Sequence, residues 1–161
     1  MELYLLRHGI AEDAAPGMRD ADRALTSKGR RKLQTVLEHA RDAGVAPALV
    51  LSSSLRRARE TAEMAVEILG CPEAIVEIEA LVPESNPERV WAEIRVHRDA
   101  PSILLAGHEP LFSALYAFLL NSPGLAVDVK KGSLGRIDVD PSSPRSRGVL
   151  RWLVTPGLYA S

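Results

Sequence analysis

The chain is poor in several things, and each shortage excludes a class of protein. There is one cysteine, Cys71, so no internal disulfide can form, and the usage fits an intracellular chain. Aromatic residues are only 4% of the sequence, which leaves few platforms for stacking single-stranded nucleic acid. The net charge is −1, with 20 basic and 21 acidic side chains, and this argues against a general binder of nucleic acid or anionic membranes. The longest apolar runs, such as residues 103–106, fall far short of the roughly 20 residues that span a bilayer. Residues 1–7 carry an acid and end in a base, without the basic start and apolar stretch of a signal peptide. The expectation is a cytoplasmic protein with neither a membrane nor a nucleic-acid partner. Lysine is scarce as well: four residues against 16 arginines. Arginine presents a planar fork that grips an oxyanion bidentately and lysine does not, so where the arginines sit matters.

At 161 residues, with no linker and no internal repeat, residues 1–161 read as one domain. A chain of this size buries about 70% of its unfolded surface and needs no structural metal to fold. The apolar pattern alternates strand and helix. Residues 3–6 form a short apolar run closed by Arg7-His8-Gly9. A long loop over 9–25 leads to a helix capped by Thr26 or Ser27, with Leu33, Val36, Leu37 and Ala40 on one face and a stop at Gly44. Residues 48–51 form a second strand. Ser52-Ser53-Ser54 then offers a cap to a second helix, which Gly70 and Pro72 end. A third strand is expected at 75–78, a helix from Pro87 to about His97, a fourth strand at 102–106 and a helix from Pro110 to about Leu120. Residues 127–129, 134–139 and 149–154 read as closing strands, and the Arg- and Pro-rich stretch 141–147 as a solvated turn. This order implies an α/β fold, a three-layer α/β/α sandwich around a mostly parallel, partly antiparallel sheet.

In such sheets, ligands bind beyond the carboxyl ends of the strands. The residues there are Arg7-His8-Gly9, then three serines with Arg56 and Arg57, then Gly107-His108-Glu109. Imidazole is nucleophilic at neutral pH, and arginines neutralise the oxygens of a phosphoryl group during transfer. Competing chemistries fail on inspection. His108-Glu109-Pro110-Leu111-Phe112 is not a zinc-protease motif, and Glu77 stands where a cysteine phosphatase would have arginine six residues after Cys71. No nucleophile elbow and no phosphate-binding P-loop is present. Asp138-Val139-Asp140 comes too near the C-terminus to open an aspartyl-phosphate phosphatase.

Together these residues resemble the histidine phosphatase superfamily. Leu6-Arg7-His8-Gly9 is similar to its R-H-G signature, and Arg23-Ala24-Leu25-Thr26-Ser27-Lys28-Gly29 to its R-x-L-T-x-x-G segment. The segment from Ser52 to Ala62 resembles S-S-P-L-x-R-A-x-x-T-A, with Ser54 replacing the proline, and Gly107-His108-Glu109-Pro110 resembles the second-histidine motif. The short length and the Lys130-Lys131-Gly132 that follows look most like the SixA-type phosphohistidine phosphatases.

That resemblance implies that His8 accepts the phosphoryl group, that Arg7, Arg23 and Arg57 hold its oxygens and that His108 completes the pocket, without metal or cofactor. Arg56 falls outside the pattern and is expected to face solvent. Larger members place an acid just after the third strand. Here Ala80 stands near that position, and Glu79, Glu84 and Glu109 are the candidate proton donors. Phosphohistidine has a labile P–N bond and needs less help from an acid, which directs the expectation to a phosphohistidine-bearing protein. A small-molecule phosphomonoesterase of the same superfamily, or a non-catalytic phosphate- or phosphopeptide-binding module, are the alternatives.

Overall fold

A computed structural model describes residues 1–159. Strand β1 (Glu2–Arg7) is followed by helix α1 (Ser27–Asp42), β2 (Leu49–Ser52), α2 (Arg56–Leu69), β3 (Val76–Glu77), α3 (Pro87–Val96), β4 (Ser102–Gly107), α4 (Leu111–Leu119), β5 (Leu134–Asp138) and β6 (Val149–Val154). The six strands form one mixed sheet in the order β3-β2-β4-β1-β5-β6. The first four are mutually parallel, β5 is antiparallel to β1, and β6 is antiparallel to β5. Among the described residues no helix is long and apolar enough to cross a membrane.

Period-two alternation on the strands divides the core between the two sheet faces. Leu3, Leu5, Leu51, Ile103 and Leu105 pack on α3 and α4, against Val90, Ile94, Phe112 and Leu115. Tyr4, Leu6, Val50, Leu104 and Ala106 pack on α1 and α2, against Leu33, Leu37, Ala62 and Ala65. Each large aliphatic side chain buried this way stabilises the fold by roughly 1.5–3 kcal/mol. The four strand–helix units and the three layers match the pattern read from the sequence.

Four local expectations are corrected. Residues 127–129 form no strand: the segment runs extended, and the Val129 carbonyl bonds the Arg7 guanidinium at 2.7 Å rather than a sheet neighbour. The third strand shrinks to Val76–Glu77, paired to β2 alone at the sheet edge. Helix α2 takes no side-chain cap from the serines, and its cap position is Leu55. The stretch 141–147 is also more than a solvated turn. Trp91 Nε1 donates to the Pro144 carbonyl, Arg95 Nε to the Pro141 carbonyl and the buried Ser146 hydroxyl to Leu119 O, which ties the stretch to α3 and α4.

Packing requires a glycine at position 29, in the first turn of α1. Thr26 caps that helix by accepting the Gly29 N–H at 2.9 Å, and the capped turn lies directly on the backbone of Ile10. A Cβ on Gly29 would sit 2.3 Å from the Ile10 carbonyl oxygen. The contact holds the first turn of α1 against Ile10, two residues after His8.

Candidate active site

Strand register assembles the centre of the site. Arg7 on β1 is opposite Gly107 on the parallel neighbour β4, so the residues that follow, His8 and His108, leave the sheet side by side. Their ring centroids are 5.1 Å apart. On the other side of β4, Ser52 is opposite Ala106, and this delivers Ser53 to His108. Helix α2 starts three residues after Ser53 and brings Arg57 in on its first turn. His8, Arg57, Ser53 and His108 are all buried.

The contact at His8 defines its tautomer. His8 Nδ1 lies 2.7 Å from the Gly9 carbonyl, which accepts a proton and donates none, so Nδ1 carries the hydrogen and Nε2 keeps the free lone pair. Ser53 Oγ accepts the Leu55 N–H at 3.1 Å and lies 2.8 Å from His108 Nε2. A serine hydroxyl can donate to Nε2 or accept from it; where it donates, neutral His108 carries its proton on Nδ1. That nitrogen is buried and has no protein partner, as is Arg7 Nε. A donor set of this kind fits an oxyanion. Burial is the main force on both rings, and the Arg57 and Arg7 charges add to it: His8 is pushed down to about 4 and His108, which also feels His8, to about 3. Both are neutral at pH 7.

The arginines are anchored from behind. Arg7 Nη1 donates to Val129 O, and Arg57 donates to the backbone and carboxylate of Asp20 at 3.0 and 3.2 Å. Arg23 shares that carboxylate at 3.0 Å and also donates to Glu12 O at 2.7 Å. Asp20 therefore draws the two arginines together, and their charges hold its carboxyl below the usual range, with the hydrogen bond from Arg23 the largest cause. Arg56 points away, more than half exposed, and pairs with Glu60 at 3.7 Å.

Sequence reasoning missed Asp20 and Ser53. Asp20 stands three residues before Arg23, a spacing at which a carboxylate and a guanidinium can pair, but its bond to Arg57 crosses 37 residues and leaves no local trace. Ser53 was read as a helix cap. The three candidate acids are treated unequally by the structure. Glu79 and Glu84 are exposed. Glu109 accepts the Ser113 N–H at the start of α4, and its charge acts on Arg7. None of the three hydrogen-bonds either histidine. Among the described residues, no group of three or more His, Cys, Asp or Glu is arranged to hold a metal ion.

Comparison with known proteins agrees with this geometry. Residues 3–82 match the family model of the histidine phosphatase superfamily, branch 1. An uncharacterized protein of Picosynechococcus sp. is 33% identical over 139 residues, 83% of this chain and 82% of that protein. The protein histidine phosphatase SixA, solved with tungstate, is 26% identical and superposes with a TM-score of 0.88 over 99% of this chain and 100% of that one. Alpha-ribazole phosphatase from Shigella flexneri has the same fold, with a TM-score of 0.73 at 21% identity over 97% of each chain.

Proposed function

Since the chain belongs to the histidine phosphatase superfamily, we propose that it is a phosphatase that works through His8 and that its substrate is phosphohistidine in a protein. The observation that carries the reading is the His8 ring. Its Nδ1 is pinned by the Gly9 carbonyl, its Nε2 lone pair is free, and burial keeps it neutral beside Arg7 and Arg57. In the first step Nε2 attacks phosphorus, the P–N bond to the substrate imidazole breaks with its electron pair, and the leaving nitrogen takes a proton from solvent. In the second step water attacks the enzyme phosphohistidine, gives up a proton and releases phosphate, and His8 is regenerated neutral. Arg7, Arg23, Arg57 and the Nδ1–H of His108 neutralise the phosphoryl oxygens in both steps.

The choice of phosphohistidine over a phosphate ester rests on the acids. An ester oxygen is a poor leaving group without a positioned proton donor. Here the one candidate carboxylate with charge influence on the site, Glu109, is engaged at a helix terminus. The test compares kcat/KM for a phosphohistidine protein, phosphoramidate, a sugar phosphate and an aryl phosphate. The P–N substrates should lead, and His8→Ala should lose turnover and acid-labile labelling by substrate phosphate. A sugar phosphate turned over as well as the phosphohistidine protein overturns the substrate class. Full activity in His8→Ala overturns the mechanism.

A further inference from the structure

Beside the phosphate pocket lies an open groove of about 580 Å³. Arg7 forms its inner end. Lys32 of α1 and the pair Lys130 and Lys131, which precede β5, supply its charge, and Ile10 and Pro156 its apolar wall. Three of the four lysines in the chain therefore line one groove, in a protein that elsewhere uses arginine. Among the described residues, no acidic side chain lines it. Asp128 neutralises Lys130 at 3.0 Å from outside, whereas neither Lys32 nor Lys131 forms an ion pair among the described residues.

The groove is fixed to the reacting centre. Besides the bond from Arg7 Nη1 to Val129 O, the Arg7 N–H donates to Ser133 O at 3.1 Å, and the Gly132 N–H is shared between the carbonyls of Arg7 and His8 at 3.2 and 3.1 Å. The Arg7 side-chain bond on one side of Lys130 and Lys131 and the backbone bonds on the other hold them next to His8. Lysine, a flexible point charge, tolerates an anion whose position varies, whereas arginine demands planar pairing.

Building on the phosphatase reading of the site, we propose that this groove is a second anion subsite, which selects substrates carrying a further carboxylate or phosphate next to the phosphoryl group. The phosphoryl group sits on His8 and the arginines. The flanking anion lies between Lys32 and Lys131, with its carbon framework against Ile10 and Pro156.

The experiment uses the full chain, wild type and the double variant Lys32→Gln with Lys131→Gln. Two substrate pairs are compared: phosphohistidine peptides whose flanking residues are Glu or Gln, and propanediol bisphosphate against its monophosphate. Wild type should prefer the more anionic member by about tenfold in kcat/KM, expressed in KM, as expected for two partly exposed ion pairs. The double variant should lose the preference, as should wild type in high salt, while its phosphoramidate turnover stays within about twofold of wild type. A preference in the peptide pair identifies an acidic protein segment as the source of the anion, and one in the bisphosphate pair a small molecule. No preference in either pair, or one that survives in the double variant, overturns the subsite. Loss of phosphoramidate turnover in His8→Ala is read separately, and its absence counts against the phosphatase reading alone.

Discussion

The two buried imidazoles make folding stability depend on pH in a way that can be calculated. An ordinary histidine titrates at 6.5, but His8 is held at about 4 and His108 at about 3. Below pH 6.5 the unfolded chain takes up two protons that the folded chain refuses, so stability falls as the pH falls. Between pH 7.5 and 5.5 each imidazole costs the fold about 1.4 kcal/mol, about 2.7 kcal/mol for the pair. The loss continues until the pH reaches the folded values of about 4 and about 3. Urea unfolding at pH 7.5 and 5.5 measures it directly. The reference is His8→Asn with His108→Gln, which keeps a polar atom towards Gly9 O and Ser53 Oγ but has nothing to titrate there. His39 and His97 are present in both proteins and cancel in the difference. Wild type should lose about 2.7 kcal/mol more than the variant over this interval. Equal losses would mean that the rings accept protons in the folded state, and the argument for a neutral His8 nucleophile at mildly acidic pH would fail.

Three further outcomes follow from individual contacts. Gly29→Ala places a Cβ 2.3 Å from Ile10 O; it should destabilise the protein by about 1–3 kcal/mol and lower Tm by several degrees, although alanine is the better helix former, and an unchanged Tm would refute the contact. Ser53→Ala leaves His108 Nε2 without a partner and should lower kcat about tenfold, the worth of one orienting hydrogen bond, with the fold intact by circular dichroism; an unchanged kcat removes Ser53 from the site. Asp20→Asn removes the negative charge shared by Arg23 and Arg57 and should tighten competitive inhibition by orthophosphate about three- to tenfold; weaker inhibition would show instead that Asp20 serves mainly to aim the arginines.

Much of this architecture is legible in the sequence because short apolar runs closed by glycine are read the same way locally and globally. Residues 3–6 and 102–106 are too short for helices and too apolar for an edge, and they are the two central strands. Once they are parallel neighbours, the step from Arg7 to His8 and from Gly107 to His108 brings the histidines together without further assumption. What escaped depends on partners distant in sequence. Val127-Asp128-Val129 alternates like a strand, yet its carbonyl serves a guanidinium. Three consecutive serines before a helix resemble caps, yet Ser53 faces a ring 55 residues away. Asp20 sits in a polar loop with nothing local to distinguish it, and only the folded chain shows it holding two arginines.

The position of β1 in the sheet has a consequence for biosynthesis. This strand leads directly into His8, but its neighbours are β4, beginning at Ser102, and β5, beginning at Leu134. On the ribosome it must wait until Gly107 has been added before its first neighbour is complete, and longer for the loop that anchors Arg7 from behind. Pairings this distant in sequence close late and slowly. A nascent or truncated chain therefore exposes Arg7 and His8 without the geometry that makes them reactive. Activity should switch on in a single step once β5 is in place, with no partly formed enzyme able to act on phosphorylated material before then.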